Sequence, residues 1–218
     1  MNKVVAIDGP SASGKSTVAR KTASGLGYLF VDSGSLYRGL TWKALEKGVD
    51  IDSEDEVSEM AENIVFEFFE KLGAVCFGIE GVEPVEELRT EEINSNVSRV
   101  ATYPAVREKV VNSLRSMRDL GSLVIEGRDI TTAVFPDAEY KFYLDASPEE
   151  RARRRHAEMA VREDIAEEAV LDSLAKRDMI DSTREKDPLR VAEDAEIIDT
   201  TDMTLDEVVD YILVKIQG

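Results

Sequence analysis

The stretch Gly9 to Thr17, GPSASGKST, decides the fold. It fits the spacing G-x-x-x-x-G-K-[ST], with Gly9, Gly14, Lys15 and Ser16 at the fixed positions. KVVAIDG, just before it, is an apolar run of strand length, and TVARKTASGLG, just after it, has helical spacing and a terminal glycine. A strand, a glycine-rich turn and a helix in that order form a P-loop, a cradle for a nucleoside triphosphate. Consecutive backbone N–H groups and the helix N-terminus turn positive partial charge toward phosphate oxygens. The expected triphosphate cradle is Gly9, Pro10, Ser11, Ala12, Ser13, Gly14, Lys15, Ser16 and Thr17. Lys15 reaches the β and γ phosphates, and the Ser16 hydroxyl ligates Mg²⁺, partly through water.

Outward from this motif, the chain alternates apolar runs with amphipathic stretches, the βα rhythm of a parallel sheet. The runs are Val4 to Asp8, Tyr28 to Asp32, Leu123 to Glu126, Tyr140 to Leu144 and Glu196 to Asp199, which predict five parallel strands flanked by helices. Ser147-Pro148-Glu149-Glu150 and Thr204-Leu205-Asp206-Glu207 have capping-box spacing and mark helix starts. Pro104 opens another helix, with Val106, Val110, Leu114 and Met117 on one face. Between about Ile64 and Leu88 the rhythm breaks into IVFEFF, AVCFGI and EPVEEL, short alternating segments that predict a small antiparallel insertion. The charged stretch Arg151 to Arg184 lacks a sustained apolar stripe and predicts a helical, lid-like cover.

A chain of 218 residues with 43% hydrophobic composition suits one α/β domain. Its 27 basic and 45 acidic residues leave a net charge of −18, which argues against a surface for nucleic acid polymers. The arginines cluster locally at 151–155 and 177–190, which points to small polyanions held in a cleft. No run is long enough to cross a membrane, and the N-terminus leads straight into a strand, so a cytoplasmic protein is expected. The single cysteine, Cys76, falls in a strand-like run and is expected to be a small buried side chain. His156, among charges, is expected in solvent, and Trp42 in packing. Asp8, next to the cradle, suits either a Mg²⁺-bound water or a backbone turn.

Three further segments furnish an acceptor side. DSGSLYR, Asp32 to Arg38, follows the second strand, and strand ends in a parallel sheet point into the ligand crevice. EGRDITT, Glu126 to Thr132, follows the third and projects a cation and a carboxylate from adjacent positions, Arg128 and Asp129. In RDMIDSTR, helical spacing puts Arg177, Asp181 and Arg184 on one face.

Taken together, these segments resemble the bacterial cytidylate kinases, nearly end to end. GPSASGKST, DSGSLYR, LRTEEI, VSRVATYPAVRE, IEGRD, FPDAEYKFYLDAS and RDMIDSTR fall in that family's order. The combination of GRD with DSGxxYR is specific, whereas the P-loop alone names only a superfamily. The resemblance implies transfer of the γ-phosphoryl of ATP to CMP or dCMP by a P-loop kinase that needs Mg²⁺ and works as a monomer. It implies a CMP-binding subdomain over 33–103, with the insertion at 64–88, and a lid over 151–184. By similarity, Lys15, Arg38, Arg128 and Arg184 are catalytic, the three arginines holding the CMP phosphate or the transferring group. Asp129 or Ser33 would accept from cytosine, opposite Arg107 and Ser98 as donors. Arg177 and Asp181 would contact the ribose, and one of Arg153 to Arg155, taken as Arg154, would flank ATP.

Two rival readings make different demands. A P-loop kinase with a hydroxyl acceptor, of the shikimate or gluconate type, would want a carboxylate near the acceptor and fewer phosphate-binding arginines. A P-loop regulatory module would carry a guanine-reading N-K-x-D, which this sequence lacks.

Overall fold

Every residue of Val4–Asp8 is buried, and alternate side chains enter different cores. Val4 and Ala6 join one apolar cluster, while Val5 and Ile7 join another. A strand buried on both faces sits inside a parallel sheet covered by helices on each side. In the computed structural model, which describes residues 2–159 and 167–218, this is the arrangement. Chain order runs β1 (Val4–Asp8), α1 (Lys15–Leu26), β2 (Leu29–Asp32), α2 (Ser33–Glu46), α3 (Glu54–Asn63), β3 (Phe66–Lys71) and β4 (Ala74–Ile79). It continues with α4 (Glu91–Val100), α5 (Pro104–Ser116), β5 (Leu123–Gly127), β6 (Tyr140–Asp145), α6 (Pro148–Met159), α7 (Glu167–Thr183), β7 (Glu196–Asp199) and α8 (Leu205–Gln217).

The sheet order is β3-β4-β2-β5-β1-β6-β7, with all pairs parallel except β3 with β4. The five expected parallel strands are there, but the sheet has seven. The predicted insertion is not a separate piece. Its second strand lies along β2, with Phe30 paired to Ala74 and the Phe30 N–H donating to the Gly73 carbonyl at 2.9 Å. The edge of β2 would otherwise expose unpaired backbone groups, and the hairpin covers it. The third predicted segment, EPVEEL, is no strand. After an isolated Ile79–Val82 bridge, the chain reaches a single 3₁₀ turn at Glu87–Arg89. Pro84 has no N–H to offer a ladder, and Glu80 and Gly81 both take positive φ to reverse the chain.

One core lies under α2, α3 and α5, where Val106, Val110, Leu114 and Met117 are buried as the spacing predicts. The other lies under α1 and α8. The Thr204–Glu207 capping box is complete, and the Ser147 hydroxyl caps α6 by accepting from Glu150 N at 3.2 Å. Gly39 on α2 is in tight contact with the hairpin: a Cβ there would stand 2.7 Å from the Phe77 ring. Trp42 packs against the same core, as expected. Cys76 is only partly buried and His156 is half-buried, each less extreme than composition alone suggests. Cys76 pairs across the hairpin with Phe69, itself an exposed side chain, at the outer end of the sheet. Helices α6 and α7, the predicted lid, carry a modest apolar seam after all, Ala152 against Val170 and Leu174. Residues 160–166 of the predicted lid lie outside the described residues.

Candidate active site

The C-terminal ends of β1, β2 and β5 open into one cleft of about 250 Å³. One wall is the P-loop. Gly9 has φ +155°, and a Cβ there would lie 2.1 Å from the Leu144 carbonyl oxygen, so only glycine lets the loop pass β6. Gly14 takes the left-handed conformation immediately before α1, aiming the helix N-terminus at the cleft. Lys15 is buried and its Nζ donates to the Pro10 carbonyl at 3.0 Å. Burial, and next the Arg128 charge, bring its pKa down to about 7. The Ser16 hydroxyl donates to Glu126 Oε1 at 2.6 Å.

The opposite wall is made of side chains. Asp32 caps α2 by accepting from Ser35 N and also holds Arg38 at 2.5 Å, so one carboxylate starts the helix and positions its cation. Arg128 donates to Asp181 at 2.9 Å. Asp129 is enclosed by Arg107, which hydrogen-bonds it, and by Arg184 at 3.3 Å. Burial pushes the Asp129 carboxyl up, and the two arginines pull it back. Arg107 is fully buried, also reaching Asp187 and the Ala101 carbonyl. The Arg177 guanidinium is drawn down to about 10 by burial and next by Arg128. Its Nε and the Tyr37 hydroxyl are buried without a hydrogen-bond partner among the described residues. Buried donors without acceptors suit a ligand that supplies oxygens.

Of the residues chosen from sequence, Ser11, Ala12, Gly14, Lys15, Ser16, Thr17, Ser33, Arg38, Ser98, Arg128, Asp129, Arg177, Asp181 and Arg184 line this cleft. Gly9, Pro10 and Ser13 shape the loop from behind, and Arg107 stands behind Asp129. Arg154 lies outside the phosphate cleft, donating to the Thr200 carbonyl at 2.6 Å and to its hydroxyl at 3.0 Å, near Gly14. Arg155, its neighbour, lines the cleft. Asp8 takes the backbone-turn role: it is fully buried and accepts from Ile130 N, Thr131 N and the Thr131 hydroxyl. Burial raises its pKa to about 6. The turn it holds has i→i+5 bonds, Val134 N to Asp129 O and Phe135 N to Ile130 O, and carries Asp129 at its start.

Sequence reading passed over Glu126, Asp32, Asp187 and Tyr37 as site residues. Glu126 and Asp32 could have been found, since each is a carboxylate closing a strand that points into the crevice. Asp187 could not: it comes to Arg107 from a turn at left-handed φ +50° that no local pattern announces.

The sequence model of one family, described as cytidylate kinase, matches residues 5–218. A cytidylate kinase of Anoxybacillus flavithermus is 44% identical over 216 residues, covering 98% of this chain and 95% of the relative. One of Bacillus cereus is 42% identical over 215 residues, covering 98% and 96%. Among solved structures, an uncharacterized protein of Eubacterium ventriosum superposes with a TM-score of 0.57 over 99% of both chains, at 14% identity, a likeness of fold alone.

Proposed function

We infer what this chain does from one premise: it belongs to the cytidylate kinase family. It is an ATP-dependent kinase that transfers the γ-phosphoryl of ATP to CMP or dCMP, giving ADP and CDP or dCDP. The observation that carries this reading is the two-walled cleft: a P-loop with Lys15 on one side, and Arg38, Arg128, Arg177 and Arg184 on the other. Two polyanions must be brought in line with their charge neutralised, and the acceptor is already an anionic oxygen, so no general base is needed.

Lys15 moves from the Pro10 carbonyl to the β and γ phosphates. Arg38, Arg128 and Arg184 take the CMP phosphate and the transferring group, since guanidinium matches phosphate bidentately and stays charged. Arg177 and Asp181 face the ribose. Asp129 and Ser33 offer acceptors to the cytosine amine, and Ser98 a donor; Arg107 acts by setting Asp129. Arg154 flanks the adenosine end of ATP. The Ser16 hydroxyl and the Glu126 carboxylate form an oxygen pair that fits a hard divalent cation, and these two would hold Mg²⁺, partly through water. Held there, the cation would supply charge that offsets the negative phosphates. We read 33–103 as the CMP-binding part and 151–184 as a lid, and the protein as a cytoplasmic monomer working on small nucleotides. Among the described residues no helix is long and apolar enough to cross a membrane.

The test is release of ADP measured with CMP, dCMP, UMP, AMP, GMP and shikimate as acceptors. CMP and dCMP should turn over fastest, with AMP, GMP and shikimate at background. Faster turnover of shikimate or a purine nucleotide would overturn the reading.

A further inference from the structure

One residue of the P-loop, Ser11, is held through both its N–H and its carbonyl by residues outside the cleft lining. The Ser11 N–H donates to Asp178 Oδ1 at 3.1 Å, and Arg151 Nη1 donates to the Ser11 carbonyl at 3.2 Å. Arg151 and Asp178 are themselves ion-paired, with side chains only 12% and 19% exposed. Arg151 is anchored further by Nε to the Ala146 carbonyl at 3.2 Å. The next residue, Ala12, takes a left-handed φ of +61°, strained for a side chain. That conformation sets its methyl into the seam of Ala152, Val170 and Leu174 between α6 and α7. Loop and helix pair thus meet through a clasped peptide and a methyl knob.

Asp178 also stands between two residues of the acceptor wall. Arg177 precedes it and Asp181 follows one turn later, both lining the cleft. Whatever fixes Asp178 fixes the register of α7, and with it those two side chains. Phosphates seated in the P-loop order the Ser11 peptide, because they bind its neighbours' amides. Ordering that peptide orders Asp178.

We propose that the Arg151–Ser11–Asp178 clasp couples the two ligand sites, so that ATP in the P-loop tightens the hold of α7 on the acceptor. Arg151 and Asp178 are positioning residues, acting through the Ser11 peptide and touching neither nucleotide. The inference rests on the reading of the two walls as ATP and CMP sites.

The experiment is calorimetric titration of CMP into the whole chain, with and without a non-hydrolysable β,γ-imido analogue of ATP. In the wild type the analogue should tighten CMP binding about five-fold or more, and by linkage CMP should tighten the analogue by the same factor. Asp178→Ala and, independently, Arg151→Met should bring the factor below about two-fold, whatever CMP affinity each shows without the analogue. A structural strut alone would lower the melting temperature and leave the factor intact. Independent binding in the wild type, or an unchanged factor in both variants, overturns the clasp and leaves the kinase reading standing. Unfolding of both variants also overturns it, in favour of a strut. No CMP binding at all in the wild type would overturn the kinase reading, and the clasp with it.

Discussion

Across one cleft, positive charge is delivered in two ways. In the P-loop it comes from backbone amides of consecutive residues, a helix N-terminus and a single side-chain cation, Lys15. On the acceptor wall it comes from guanidinium groups on α2, after β5, and on and after α7, three of them leaning on a carboxylate: Arg38 on Asp32, Arg128 on Asp181, Arg184 on Asp129. The backbone cradle depends on the conformation of consecutive residues. The acceptor wall is a mutual arrangement of buried charges, in which removing one member strands another.

Lys15→Ala is the sharpest way to break this comparison. The backbone should still bind ATP, yet kcat should fall by ~10³-fold or more, since the lost cation faces charge that grows in the transition state. The fold should stay intact, because a buried lysine whose pKa is already lowered by burial adds no stability at neutral pH. A variant keeping more than about a tenth of wild-type kcat would sink the contrast.

On the other wall the loss should appear in stability as well. Arg107→Ala leaves Asp129 and Asp187 short of their shared partner inside the protein, and should cost about 3–5 kcal/mol in urea denaturation. A loss under about 1 kcal/mol would mean that water or Arg184 replaces it freely.

Asp129→Asn separates reading of the base from holding of the wall. If the carboxylate accepts from the cytosine amine, selection of CMP over UMP in kcat/KM should shrink by about 1–3 kcal/mol, with KM for ATP little changed. Equal losses for CMP and UMP would assign Asp129 to the arginine network alone.

The smallest effect is a proton. Burial sets the Lys15 pKa near 7, below its ordinary 10.5, so the folded chain binds fewer protons than the unfolded one between those values. Stability therefore gains from this group as pH rises from 7 toward 10.5. Phosphates restore the charge, so binding the imido analogue at pH 8 should take up a fraction of a proton, seen as buffer-dependent heat. Lys15→Ala should abolish the uptake, and uptake that persists in the variant would place the proton elsewhere.

The same contrast explains what could be read in advance. The cradle is local, nine consecutive residues from Gly9 to Thr17, and its strand, turn and helix followed from spacing. Arg177, Asp181 and Arg184 were legible because a helix repeats. Residues whose role depends on a distant partner were less so: Arg107 reads as a donor to the base but stands behind Asp129, and Asp187 only gains meaning when the turn after α7 is laid against Arg107. The hairpin was visible as alternation, but its pairing with β2 was not, because alternation records which face is buried and not which edge is free.

Gly39 gives the hairpin a further consequence. The bare glycine lets α2 settle directly onto the Phe77 ring, and Tyr37 and Arg38 precede it on the same helix. The two added strands therefore act as a shim under the acceptor wall. Their packing bears on how deep Arg38 sits in the cleft, so enlarging or trimming the buried Phe77 ring should shift the guanidinium of the residue beside Gly39.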